Sequence, residues 1–97
     1  MKIRFTPRAE SEAGREQTWW RENRPSTPGL FDDELAALVE QIGETPTIGT
    51  VYPSTFDVVV RRVLMTKTKN HVYYAAHDNE IVVVSVWGAP RRRGPNL

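Results

Sequence analysis

The 97-residue sequence predicts one α+β domain, in which a helical hairpin packs on one face of an antiparallel sheet. Two observations predict this class. Helical apolar spacing dominates the first half of the chain, whereas runs of β-branched residues separated by turn residues fill the second half. A chain of this length can bury one core shared by the helices and the sheet. The predicted order of elements is β-α-α-β-β-β, within a single domain that spans residues 1–97.

The first half predicts one strand and two helices. Ile3 and Phe5 alternate with polar residues and predict a half-buried strand. Thr6 followed by Pro7 predicts a helix start, since Thr is a good N-cap and Pro suits the first helical position. This helix should run to about Asn23.

The second helix is predicted over residues 30–44, after the breaker-rich segment 24–29. Its apolar residues recur at intervals of four, three and four positions, which places them in one stripe along the helix. The members of the stripe are Phe31, Leu35, Leu38 and Ile42. The two helices and their short link therefore predict an antiparallel hairpin.

The second half predicts three strands, over residues 56–65, 71–76 and 80–87. Asp78-Asn79 is a two-residue hairpin turn between the last two strands. The last strand is the most apolar, which is typical of an interior strand buried on both faces. Residues 88–97 form a basic tail in which Pro and Gly argue against a helix.

Charge is distributed unevenly along the chain. Residues 25–60 carry six acidic and no basic side chains, whereas residues 61–97 carry seven basic and two acidic ones. This asymmetry predicts an anionic partner for one face of the domain. A dipolar surface without a partner is the alternative.

Several classes of protein are disfavoured by what the sequence lacks. It contains no Cys, so neither disulfides nor thiolate metal sites are available. His71 and His77 have no accompanying pattern of metal ligands, and we expect no metal site and no cofactor. We find no P-loop and no nucleophile-elbow motif. No apolar run is long enough to span a membrane, and the N-terminus has no signal-peptide pattern, so a cytoplasmic location is expected.

Strand alternation predicts which side chains share the sheet face opposite the helices. Val72 suits the helix-packed face, so His71 and Tyr73 should point to the other face. Only one of the adjacent Arg61 and Arg62 can join them there. Cations beside an aromatic ring suit phosphates and stacked bases.

More cations lie nearby in sequence, namely Lys67 and Lys69 in the hairpin turn and Arg91–Arg93 after the last strand. The turn is expected to fold back near Arg62. Each feature also has a plain structural explanation, because strand cations are often solvated and a lone His is more often structural than catalytic. His71 could serve as the proton-transfer group of a phosphodiester cleavage.

Five segments follow one another in a recognisable order: K-I-R-F-T-P-R-A at the start, the P-x-x-G turn at residues 46–49, R-R-V-L-M, H-V-Y-Y, and N-E-I-V-V-V-S-V-W-G-A-P-R-R-R-G-P. Together they resemble the RelE/ParE superfamily of type II toxin–antitoxin toxins. The resemblance implies a growth-arresting toxin neutralised by a co-expressed antitoxin. Such antitoxins typically lay an otherwise disordered segment over the toxin.

The family has two branches with different targets. RelE-like toxins cut mRNA in the ribosomal A site, with several basic strand residues and a Tyr or His in an added C-terminal helix. Here Arg62 matches one basic position, Leu64 stands in place of a second Lys, and His71 stands where Arg is common. Too few residues follow Arg93 for that helix, so the resemblance favours ParE-like toxins, which inhibit DNA gyrase. Trp87 departs from the His often found in ParE-like tails.

The leading hypothesis is a ParE-like inhibitor of DNA gyrase. Its target-binding residues would be Arg61, Arg62, Lys67, Lys69, His71, Tyr73, Arg91, Arg92 and Arg93. The antitoxin should be acidic, with anchor sites at Trp19, Trp20, Phe31 and Leu35. The alternative is a ribosome-dependent mRNA endonuclease whose catalytic residues would be Arg62, His71 and Arg91. A nucleic-acid-binding module or an inactive toxin is a third hypothesis.

Overall fold

The computed structural model describes residues 1–88 and 93–97. The described residues form two helices and five strands: β1 (Lys2–Phe5), α1 (Pro7–Asn23), α2 (Leu30–Glu44), β2 (Thr50–Tyr52), β3 (Val60–Met65), β4 (Asn70–His77) and β5 (Glu80–Gly88). The predicted α+β class is confirmed, and so are both helices. Neither described helix is long and apolar enough to cross a membrane.

The sheet is mixed, with the strand order β1-β5-β4-β3-β2. β1 runs parallel to β5, while the other neighbouring pairs are antiparallel. This corrects the expectation of a wholly antiparallel sheet. The two helices carry the chain from β1 at one edge to β2 at the opposite edge, and the direction of β1 depends on that long-range path. The alternation of side chains along a strand shows only which of them share a face of the sheet, and it gives no information on the direction in which the strand runs.

The short edge strand β2 was not predicted. It pairs with β3 through Thr50↔Arg62, Val51↔Arg61 and Tyr52↔Val60. Three residues are too few to give a periodic pattern, and Pro53 ends the strand at once. β3 begins at Val60, four residues later than expected, because residues 53–59 form a loop instead.

Local signals at the chain's turns act as the sequence predicts. The Thr6 side chain accepts a hydrogen bond from the Ala9 amide at 3.2 Å, so Thr6 is the N-cap of α1. Asp78 and Asn79 both have positive φ, 50° and 60°, as a type I′ hairpin turn requires. Short-range backbone chemistry therefore determines these junctions.

The main core lies between the helices and one face of the sheet. Its fully buried members come from both layers and include Phe31, Ile42, Val72, Tyr74, Ile81 and Val83. Both helices contribute, α1 mainly through small residues and α2 through its predicted stripe. This packing leaves the other face of the sheet for a separate set of side chains.

A buried carboxylate joins α1 to β5. Glu12 accepts hydrogen bonds from the Ser85 hydroxyl at 2.8 Å and from the Val86 amide at 3.0 Å. The pairing of β4 and β5 shifts register between Tyr73 and Tyr74, which indicates a bulge at this point of β5. Glu12 therefore binds backbone and side-chain donors next to the bulge.

Candidate functional site

The sheet face opposite the helices carries a second, smaller apolar cluster. Val60, Tyr73 and Val84 are buried there, and Tyr52, Val82, Trp87 and Leu97 pack against them. The prediction that Tyr73 points away from the helices is confirmed, because Tyr73 belongs to this cluster while Val72 belongs to the main core.

The C-terminal segment (residues 93–97) covers part of this face. The Trp87 indole donates to the Arg93 carbonyl at 2.8 Å, and the Tyr52 hydroxyl donates to the Pro95 carbonyl at 2.9 Å. The Thr55 amide donates to the Leu97 oxygen at 2.8 Å. These bonds attach the C-terminal segment to β5, to β2 and to the loop after β2.

The N-terminus of α1 provides a further attachment for the C-terminal segment. The Arg8 guanidinium donates to the Asn96 carbonyl at 2.9 Å and lies 5.9 Å from the centre of the Trp87 ring. The C-terminal segment is therefore hydrogen-bonded to α1 in the helical layer and to strands β2 and β5 of the sheet.

Arg62 is the arginine of the adjacent pair that belongs to this face. Its guanidinium carbon lies 5.6 Å from the centre of the Tyr52 ring, and that ring meets Tyr73 edge-on at 4.7 Å. Arg61 lies on the other face, where it donates to the Gly49 carbonyl at 2.9 Å. The alternation argument is thus confirmed, and Arg61 stabilises the α2–β2 loop in this structure.

His71 lies in a row of side chains that crosses the same face. It pairs with Leu64 on β3 and with Trp87 on β5, and Leu64 is 42% exposed. Burial lowers the pKa of His71, and the positive charge of Arg62 lowers it further. The imidazole is therefore neutral at pH 7 and can accept a proton.

Tyr73 is fully buried, with 1% of its surface exposed. Burial raises the pKa of its hydroxyl, while Arg62 acts in the opposite direction through a hydrogen bond and its charge. In this conformation Tyr73 is buried against Tyr52 and hydrogen-bonded to Arg62, and its role in target binding stays a prediction.

The lysines of the β3–β4 turn do not gather around Arg62 as expected. The register places the turn three residue pairs beyond Arg62↔Tyr73, towards the end of the hairpin. There the carboxylate of Glu34 on α2 accepts from the Lys67 amide at 2.7 Å and the Thr68 amide at 2.9 Å. This anchoring places Lys67 and Lys69 beside the helical hairpin.

Arg91 and Arg92 lie outside the described residues, so their part of the predicted cationic set stays a prediction. Arg93 is described and exposed. Its backbone carbonyl is the group that accepts the Trp87 hydrogen bond.

Two of the predicted antitoxin anchors lie in the core. Phe31 is fully buried and Leu35 is 8% exposed, because the apolar stripe of α2 forms the core between the helices and the sheet. Trp19 is 43% exposed, whereas Trp20 packs against the core.

Sequence reasoning missed the residues that shape the site from outside β3 and β4. Tyr52 lies on the unpredicted strand, and Pro95 lies in the segment predicted only as an irregular tail. Leu64 was noted as a departure from a family pattern, not as an exposed part of the face. The one sequence signal for β2 was the aromatic residue Tyr52 directly before Pro53, and such a signal is weak.

In the part of the chain that the structure describes, no three His, Asp or Glu side chains lie close enough together to hold a metal ion. Among the described residues, the sheet face brings together the guanidinium of Arg62, the imidazole of His71 and exposed apolar side chains. Such a set can bind an anion or a mixed polar and apolar surface.

Solved structures of known proteins resemble this fold over most of the chain. A structure of the chromosomal ParDE toxin–antitoxin system from P. aeruginosa matches with a TM-score of 0.61 and 15% identity, covering 91% of this chain and 95% of that chain. The isolated E. coli RelE toxin matches with a TM-score of 0.60 and 18% identity, covering 95% and 87%. The YoeB dimer from Staphylococcus aureus matches with a TM-score of 0.55 and 18% identity, covering 90% and 94%.

Neither the protein-family models nor the curated proteins gave a match to the sequence. At 15–18% identity, these likenesses show that the chain shares the fold of these three structures. The shared fold agrees with the resemblance noted among the sequence segments.

Proposed function

We propose that the chain is the toxin of a type II toxin–antitoxin system, neutralised by an acidic antitoxin. The observation that carries this proposal is the likeness of the whole fold to ParE, RelE and YoeB, with at least 90% of this chain covered in each case. The uneven charge of the sequence supports an acidic partner.

Within this class, we propose that the toxin acts by binding DNA gyrase, and that the sheet face is the binding surface. Leu64, His71 and Trp87 form a partly exposed row, and Arg62 lies two residue pairs away on the same face. Aromatic residues and Arg beside exposed apolar surface are typical of protein interfaces. The C-terminal segment already occupies the neighbouring part of the face, which leaves less room there for a bound RNA strand.

A second candidate function is ribosome-dependent cleavage of mRNA. It is favoured by the pairing of a neutral His71 with Arg62, because a neutral imidazole can take a proton while a guanidinium stabilises phosphate charge. Arg91 would complete this set. Leu64, directly across from His71, supplies no charge for phosphate.

Inducible expression in a bacterial host tests the toxin proposal. We expect growth to stop on induction of the wild-type chain. An Arg62→Glu, Leu64→Asp double variant should relieve the arrest, whereas His77→Ala, at the exposed far end of β4, should not. Normal growth during verified production of the folded wild-type chain would end the toxin proposal.

Two purified assays separate the targets. We expect the protein to inhibit plasmid supercoiling by gyrase and to leave mRNA intact in a purified translation system. A His71→Gln variant should inhibit supercoiling more weakly, because His71 belongs to the proposed binding row, but it should not lose the inhibition. If the wild type instead cuts ribosome-bound mRNA and His71→Gln abolishes the cutting, the nuclease candidate replaces the gyrase proposal.

A further inference from the structure

A pocket of about 500 Å³ lies on the helical side of the domain, away from the sheet face. It is formed by the C-terminal end of α1, the β3–β4 turn and the end of β5. The side chains that give it its character are Trp19, Trp20, Arg24, Lys67 and Lys69. It therefore combines an aromatic wall with three cations.

Of the two rings that form the aromatic wall, one is packed against the core and the other is exposed to solvent. The rings of Trp19 and Trp20 meet edge to face, with centroids 5.5 Å apart and planes at 71°. Trp20 packs against the main core, while Trp19 is 43% exposed. An exposed indole held against a fixed one is a favourable anchor point for an apolar side chain.

The cations of the pocket have no carboxylate partners within the described residues. None of Arg24, Lys67 and Lys69 takes part in an ion pair there. Glu34, which touches the same turn, is occupied by backbone and hydroxyl donors. Glu16, on the pocket wall, accepts from the Asn70 amide group at 2.9 Å. The pocket is thus lined by three cations and one carboxylate, so its lining carries a net positive charge.

The turn that bears the lysines is held in place by more than Glu34. Lys69 has a positive φ of 61°, and its amide donates to the Met65 carbonyl at 2.8 Å. A turn that is ordered before binding reduces the entropy lost when a ligand binds.

We propose that this pocket binds an acidic peptide segment of a partner protein. An apolar side chain of the segment inserts against Trp19 and Trp20, and flanking carboxylates meet Lys67, Lys69 and Arg24. The partner is the antitoxin, and to that extent the assignment rests on the proposed function. The pocket takes over the anchoring role that the buried Phe31 and Leu35 cannot perform.

One observation favours a peptide over a nucleic acid strand. The guanidinium of Arg24 lies 5.3 Å from the centre of the Trp19 ring, so one face of that indole is already covered and unavailable to a base.

A selection from a library of random 16-residue peptides tests the proposal with the purified full chain. We expect the selected peptides to be enriched in Asp and Glu around a Leu, Phe or Trp. In a titration followed by NMR, such a peptide should shift the indole N–H signals of Trp19 and Trp20 and leave that of Trp87 in place.

Charge reversal provides the matched comparison. Lys67→Glu with Lys69→Glu should weaken binding of the selected peptide about tenfold or more, because like charges then face each other. Lys2→Glu with Arg4→Glu changes the net charge equally at exposed positions of β1, outside the pocket, and should leave the affinity within about twofold. Trp19→Ala, at a position that is 43% exposed, should also weaken binding.

The proposal fails if the selection yields no acidic peptides, if both double variants bind equally well, or if a ten-residue single-stranded oligonucleotide shifts the indole signals in place of peptide. These measurements do not depend on growth arrest. A chain that arrests growth but selects no acidic peptide loses only the pocket assignment, and a chain that binds the peptide without arresting growth loses only the toxin proposal.

Discussion

The chemistry of the sheet face depends on the position of single side chains, above all Arg62. Its guanidinium lies against the Tyr52 ring and acts on both His71 and Tyr73 through its charge. One residue earlier, Arg61 lies on the other face, where its guanidinium donates to the Gly49 carbonyl and stabilises the loop between α2 and β2. Adjacent arginines in one strand therefore have different roles because alternate side chains point to opposite faces.

Replacement of Arg62 should change the titration of His71. Burial is the larger cause of the lowered His71 pKa and the charge of Arg62 is the smaller. In Arg62→Gln we expect the pKa to rise without reaching the ordinary value of 6.5, as followed by the imidazole NMR signals against pH. An unchanged pKa of His71 would show that the charge of Arg62 does not affect the protonation of the imidazole.

The same shift links stability to pH. The folded state binds a proton at His71 less readily than the unfolded state, so protonation favours unfolding. This contribution to stability is complete above the ordinary pKa of 6.5 and is lost as the pH falls through the lowered folded value. Denaturant unfolding at several pH values should show a shallower decline below pH 6.5 in His71→Gln than in the wild type.

Removal of one hydroxyl should loosen the loop between α2 and β2. The Tyr74 hydroxyl accepts from the Gly49 amide at 3.0 Å and donates to the Pro46 carbonyl at 2.7 Å. A Cβ at Gly49 would lie 3.0 Å from that hydroxyl, so the loop approaches it closely. We expect Tyr74→Phe to cost about 1–3 kcal/mol in denaturant unfolding, because a buried amide loses its partner.

Tyr52→Phe is the comparison for Tyr74→Phe, since it removes a hydroxyl that donates to the Pro95 carbonyl of the C-terminal segment. It should cost less, about 1 kcal/mol, because one hydrogen bond is lost where Tyr74→Phe loses two. Equal losses in the free energy of unfolding of the two variants would contradict the stabilising role assigned to the hydrogen bond between Tyr74 and the Gly49 amide.

Among the elements, the C-terminal segment has the largest effect on the site. It forms no helix or strand, yet it covers Tyr73 and attaches to β2, β5 and α1. The edge strand β2 is only three residues long. We infer that the C-terminal segment and β2 stabilise each other, since Tyr52 contacts both.

Gly94→Ala should release the C-terminal segment. A Cβ at this position would collide with the Tyr52 ring, and the ring is held between Tyr73 and Arg62. We expect faster hydrogen exchange at the Thr55 amide, which donates to Leu97, and a changed Trp87 fluorescence. Unaltered exchange at Thr55 would show that the segment adapts to the added methyl group.

Gly14→Ala is the control for a glycine replacement that fits. A Cβ there meets nothing within 4 Å, and Gly14 lies inside α1. This variant should stabilise the domain by about 0.5–1 kcal/mol because Ala favours the helix. It should leave exchange at Thr55 unchanged.

At the scale of the whole molecule, Glu12 joins the helical layer to the sheet. Its carboxylate satisfies the Ser85 hydroxyl and the Val86 amide, and Arg8 lies 3.4 Å from its other oxygen. Glu12→Ala would leave two buried donors without partners. We expect a loss of about 2–4 kcal/mol in the free energy of unfolding. Glu22→Ala, on the exposed surface of the same helix, should cost little.

The separation of charge also belongs to this scale. The acidic stretch forms α2 and the loops around it, while the lysines of the β3–β4 turn lie beside Trp19. Salt should therefore weaken association with an acidic partner, as surface charges more than about 10 Å apart are screened at 0.1 M ionic strength.

By itself the sequence determined the α+β class, both helices, the Asp78-Asn79 turn and the placement of His71 and Tyr73 opposite Val72. These depend on local periodicity and on the conformations that single residues allow, which the sequence records directly. The tertiary structure alone decided that β1 runs parallel to β5, that β2 exists, and that the C-terminal segment covers Tyr73. It also moved the lysine turn away from Arg62 and placed it beside Trp19. Those outcomes depend on contacts between distant parts of the chain, for which spacing along the sequence carries no signal.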